Sequence, residues 1–207
     1  MTGARRALVA LVIACAAARS TRAQSQDGRL AARLDKPTLV AVSAILDSAR
    51  NAKLPTAPLV DKALEGAAKG SEGANIVSAV HQLSLRMGSA KRVLGPASTP
   101  DEIKAAASAI GVGVSDRDLA RLRAAAGKHQ VTLPLAVLTD LIDRNVPIET
   151  ATNLVLQLAR AGVKDPDLAL FQRNVRADID RGADPTVAAT TRARGLVLRG
   201  APSKPAE

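Results

Sequence analysis

The sequence predicts an all-α protein of about nine short helices, mostly paired as helical hairpins in a degenerate repeat array or an irregular bundle. Three observations carry that expectation. Apolar residues recur at steps of three and four rather than alternating, which is the helical period. Hydrophobic residues make up 47% of the chain, yet there is one Phe and no Trp or Tyr, so Ala, Leu and Val must build the interior. Ala favours helix over strand. Finally, one unit recurs four times: a helix, a turn at Gly or Asn, a second helix opened by Ser, Asp or Pro, and a closing Gly.

The unit is cleanest at residues 144–162. Ile148, Ala151, Val155, Leu158 and Gly162 share one helical face, and Leu135, Leu138, Leu141 and Ile142 form the stripe of the helix before it. Asn145 follows that helix, where a residue able to turn left-handed closes the end. Pro147 suits a first helical turn, and Glu149 complements the positive helix start. Equivalent turns fall at Gly70, Gly113 and Gly182, giving intervals of 43, 32 and 37 residues. The closing glycines are Gly88, Gly127, Gly162 and Gly195. Units of this size cannot bury an apolar face alone and are stabilised by stacking.

In chain order, residues 1–23 read as an export signal: Arg5 and Arg6, an apolar run over residues 7–18, and Thr21-Arg22-Ala23 as a small-x-small cleavage site. The apolar run is too short for a permanent membrane span. Val12-Ile13-Ala14-Cys15 resembles the lipobox of bacterial lipoproteins, which implies Cys15 as a candidate lipidation site; ordinary cleavage before Gln24 is the alternative. In either case no pair of cysteines is left for an intramolecular disulfide. Residues 24–36 are expected to form a flexible leader, and residues 37–199 a single helical-hairpin domain. Leu39, Val42, Leu46 and Ala49 mark its first helix, ended by Pro55 and Pro58.

The first hairpin, residues 59–87, carries Leu59, Ala63, Leu64 and Ala67 on one stripe and Ile76, Val80, Leu83 and Met87 on the other. Residues 89–96 read as a connector. Thr99-Pro100-Asp101-Glu102 opens the second hairpin with the residues of a capping box, and Ser115-Asp116-Arg117-Asp118 repeats that logic. After the central unit, Asp165-Pro166 opens a helix with Leu168, Phe171, Val175 and Ile179 inward. Asp184-Pro185 opens the last one, with Val187, Ala188 and Thr191 as its apolar positions. Residues 200–207 are expected to be a disordered tail.

The residues argue against most chemistry. There is no Gly-x-Ser-x-Gly elbow, and His81 and His129 lack any partner motif for nucleophilic catalysis. Sugar hydrolysis usually needs aromatic platforms. Zinc spacings are missing, and Asp178, Asp180 and Asp184 lack the Gly and closing Glu of a calcium loop, so those acids should end one helix and cap the next. Gly111-Val112-Gly113 follows a helix rather than a strand and is no dinucleotide fingerprint. The formal charge of +10 falls to +6 without residues 1–23, which hold Arg5, Arg6, Arg19 and Arg22 and no acid. Arg192, Arg194, Arg199 and Lys204 form a candidate polyanion-binding cluster, and Arg117, Arg121 and Lys128 a second stripe, although solvated faces of this charge are common.

The expected protein is exported, periplasmic or secreted, or else lipid-anchored in the envelope at Cys15. It is expected to be a non-enzymatic interaction or scaffold protein without catalytic, metal or cofactor-binding residues, acting on a protein or peptide partner and not on nucleic acid. The alternative is a binder of anionic envelope polymers or lipids through the C-terminal basic cluster.

Overall fold

A computed structural model describes residues 28–200, apart from the side chains of residues 199 and 200. The fold is all-α. Nine helices follow one another among the described residues: α1 (Lys36–Asn51), α2 (Ala57–Ala68), α3 (Gly73–Leu94), α4 (Pro100–Gly111), α5 (Asp116–Ala126), α6 (Thr132–Asp143), α7 (Ile148–Arg160), α8 (Asp165–Asp180) and α9 (Pro185–Gly200). The chain divides into two compact units inside α3, between Ser84 and Leu85.

In the first unit, Asp35 caps α1 by accepting the Thr38 N–H at 3.3 Å, and Val42, Leu46 and Ala49 face inward. Leu59, Val60 and Ala63 are the buried residues of α2. Two glycines set how closely these helices approach. A Cβ on Gly66 would lie 2.8 Å from Ile76 Cγ1, and one on Gly73 would lie 2.0 Å from Thr38 Oγ1. Part of the expected leader is packed: residues 28–31 make a helical turn with Leu30 fully buried. A single Leu among polar residues has no periodicity, so it reads as loop.

Gly88 does not close a helix. Met87, Ala90 and Leu94 carry the inward face of α3 past it, so the expected connector is helical until Gly95, whose φ is 90°. Gly195 likewise lies inside α9. The inward residues of α9 are Ala188, Ala189, Ala193 and Leu196, whereas Val187 is 61% exposed and Thr191 is exposed, against expectation.

The second unit is a stack of hairpins. Helices α4, α6 and α8 pack in succession as one layer, and α5, α7 and α9 as the other. Within hairpins, α6 packs on α7 and α8 on α9. Next-but-one packing makes successive loops alternate between two rims. One rim carries the turns at Gly113, Asn145 and Gly182, all with positive φ as their place in the repeat requires. Each closes its helix by the same double bond: after Asn145, for instance, the Val146 N–H reaches Leu141 O at 3.0 Å while that of Asn145 reaches Ile142 O at 2.9 Å. The other rim carries the loops at residues 95–99, 127–131 and 161–164. Ile148, expected inward, is 40% exposed and lays its Cδ1 over Gly113.

Candidate interaction rim

The 127–131 loop is held from beneath by two side chains. Gly127 (φ 58°) ends α5, and Val131, fully buried, anchors the start of α6. Arg123 donates to the carbonyls of Gly127 and His129 and, at 3.2 Å, to Glu102 Oε1. Glu102 completes the capping box of α4: its Oε2 accepts the Thr99 N–H at 2.9 Å, and its own N–H reaches Thr99 Oγ1 at 3.2 Å. Its Oε1 also accepts the Val131 N–H at 3.1 Å, so a side chain of α4 caps α6. Burial pushes the Glu102 carboxyl up. The Thr99 and Val131 N–H groups, the Thr99 hydroxyl and Arg123 outweigh that and hold it below the ordinary glutamate value. It is therefore ionised at neutral pH.

Clefts open on both sides of this loop. One, of about 560 Å³, is lined by Leu94, Ser98, Thr99, Arg123 and Lys128. The other, of about 450 Å³, is lined by Ala126, Pro134, Ala159, Val163 and Lys164. His129 and Gln130 line both.

Near the Gly113–Asn145–Gly182 rim most cations are ion-paired, whereas Arg117 is exposed without an ion pair among the described residues. There Arg121 binds Asp118, Arg144 binds Asp180, Arg176 binds Asp140, and Arg181 and Arg192 bind Asp178. Around the loop rim, Arg92, Lys128, Arg160 and Lys164 are exposed and have no ion pair among the described residues. They sit at or just after the ends of α3, α5 and α7.

The predicted C-terminal cluster is only partly described. Arg192 is held bidentately by Asp178 at 2.7 and 2.9 Å, and Arg194 is exposed without an ion pair among the described residues. Two residues apart on a helix, they point about 200° from each other. The Arg199 side chain, Lys204 and Cys15 lie outside the described residues. The second predicted stripe is divided: Arg117 and Lys128 stand at opposite ends of α5, and Arg121 is bound to Asp118. His81 lines a shallow groove of the first unit with Pro37, Thr38, Ala41 and Val77. Asp184 caps α9 through the Val187 N–H at 2.9 Å. Among the described residues no cluster of three or more His, Cys, Asp or Glu is placed to hold a metal, and no helix is long and apolar enough to cross a membrane.

Sequence reasoning missed Arg92, Arg160 and Lys164 as members of one surface. The available signal was that alternate helices of the hairpin array end in basic residues. No family model, curated protein or solved structure matches this chain.

Proposed function

We propose that this chain is an exported, non-enzymatic helical interaction or scaffold protein of the cell envelope or periplasm, engaging a protein or peptide partner along the loop rim. The observation that supports this most is the pair of clefts flanking residues 127–131, on a rim whose exposed cations have no ion pair among the described residues. The loop is braced by Glu102 and Arg123, so the surface is preorganised for docking. A stacked-hairpin surface suits such a role by analogy of fold.

The carboxyls with shifted titration argue against a carboxylic general acid among the described residues. Side-chain hydrogen bonds from Lys69 and Lys62 lower Glu65 to about 2, and Glu102, Asp140 and Asp178 are lowered as well. A general acid working near neutrality needs the opposite shift. The alternative, a C-terminal polyanion site, loses Arg192 to Asp178.

A photo-crosslinking residue at Gln130, compared with one at Arg117 on the opposite rim, tests the interaction reading in envelope-producing cells. A discrete heterodimeric adduct from Gln130 alone is expected. No adduct, or equal adducts from both sites, would sink it. Export is read separately by intact mass of soluble and membrane fractions: a start at Gln24 indicates ordinary cleavage, a diacylated Cys15 a lipoprotein, and an unprocessed Met1 overturns export.

A further inference from the structure

We infer that the segment docking on the loop rim is an extended acidic stretch of the partner, its carboxylates meeting Lys128 and Lys164 and its small apolar side chains entering the two clefts. This rests on the interaction reading above and adds the partner's chemistry. Lys128 lines one cleft and Lys164 the other, with His129 and Gln130 between them, so a chain crossing the loop meets a cation on each side. Apolar residues flank the cations, Leu94, Ala97 and Ala124 in one cleft and Ala126, Pro134, Ala159 and Val163 in the other, and Asp165 lines the second cleft beside Lys164. That arrangement suits acids interspersed with small apolar residues.

Other anions fit less well. Stacking of nucleic-acid bases favours exposed Phe, Tyr or Trp, and the chain's one such residue, Phe171, is 2% exposed. Bidentate phosphate recognition in the clefts wants a guanidinium there; that of Arg123 is turned to Glu102 and two carbonyls, and Arg92 and Arg160 line neither cleft. Insertion into a lipid surface wants apolar wedges. The exposed large apolar residues, Val40, Leu85, Ile148, Leu170, Val187 and Leu198, all lie outside the three rim loops. Lysines acting as point charges tolerate the varied carboxylate positions of an extended peptide.

The test uses the purified chain and a short fluorescein-labelled peptide alternating Glu with Val, with a Gln-for-Glu version as control, read by fluorescence anisotropy. Saturable binding of the Glu peptide is expected, weaker by at least about tenfold for the Gln peptide and for the K128E/K164E variant, and weakened further by salt. Arg117→Glu, the same charge change per residue on the opposite rim, should alter affinity by less than about twofold. All three sites are exposed, and far-UV circular dichroism verifies that the variants keep their helices. Equal binding of the Glu and Gln peptides, an R117E loss as large as that of K128E/K164E, or binding of phosphatidylglycerol vesicles without binding of the peptide would each overturn the inference. If the peptide fails while the Gln130 adduct persists, the acidic-segment inference falls and the interaction reading stands.

Discussion

Glu102 on α4 accepts the backbone N–H of Val131 at 3.1 Å, 29 residues further along the chain. The same carboxylate takes the Thr99 N–H and the Arg123 guanidinium, so one buried side chain closes the start of α4, the start of α6 and the loop between the clefts. Glu102→Ala would leave a buried N–H and a half-buried cation without their acceptor. The expected loss is about 2–4 kcal/mol in urea unfolding. Glu102→Gln should cost less, since an amide oxygen still accepts one N–H. Equal stabilities for both variants and the unmodified chain would show that the node does not hold the loop.

The same node predicts a pH dependence. Burial raises both Glu102 and Asp140, but N–H donors and Arg123 at the first, and Arg176, Gln172 and Arg144 at the second, bring each below its ordinary value. A carboxyl depressed in the folded state binds fewer protons folded than unfolded. Its stabilisation is present above the unfolded value and is lost as pH falls through the folded one. The urea midpoint should therefore start to fall below about pH 4, and E102Q should fall less steeply than the unmodified chain. A midpoint that rises on acidification through this range would contradict the assignment.

The turn residues differ in what surrounds them. Gly162 has φ 68° with open space where a Cβ would go, whereas Gly113 has φ 99° and its Cβ would sit 2.9 Å from Ile148 Cδ1. Gly162→Ala should cost about 1 kcal/mol from left-handed strain alone. Gly113→Ala adds a clash and should cost about 2 kcal/mol, partly relieved by Ile148→Ala. Thermal melts of the three variants check the order.

These turns also mark what could be read from the chain. Gly70, Gly113, Asn145 and Gly182 were legible because each follows an apolar stripe and precedes a new helix start. Gly88 and Gly195 were not, because glycine inside a helix looks the same as glycine ending one until the next buried residue is known, here Ala90 and Leu196. The rim was barely legible. Lys128 and Lys164 are 36 residues apart and belong together only because loops alternate sides. Arg192 looked available because Asp178, which binds it, belongs to the preceding helix.

Arg176 on α8 grips Asp140 on α6 with two donors, its Nε reaching Oδ2 at 2.9 Å and its Nη2 reaching Oδ1. Asp140 is 14% exposed in its side chain and Arg176 45%, so solvent screens much of the attraction. A double-mutant cycle with Asp140→Ala and Arg176→Ala should give a coupling of about 0.5–1 kcal/mol. Arg144 also touches Asp140, at 3.5 Å, so Asp140→Ala alone should cost more than Arg176→Ala. Zero coupling would mean that this ion pair adds nothing to the packing of α6 on α8.

Gly73 at the start of α3 faces Thr38 of α1, and a Cβ there would lie 2.0 Å from Oγ1 and 3.3 Å from the Thr38 Cβ. Two effects compete in Gly73→Ala. Alanine is intrinsically better in a helix by about 1 kcal/mol. Thr38, however, is 5% exposed and its backbone N–H is committed to Asp35, so it has little freedom to withdraw. The clash should win, for a net loss of about 1–3 kcal/mol. Removing the hydroxyl and methyl with Thr38→Ala clears the space, so in that background Gly73→Ala should become neutral or stabilising. Thr38→Ser keeps the oxygen and should rescue little. Urea unfolding of the four-member cycle decides it: a Gly73→Ala variant more stable than the unmodified chain would mean that α1 and α3 do not approach this closely.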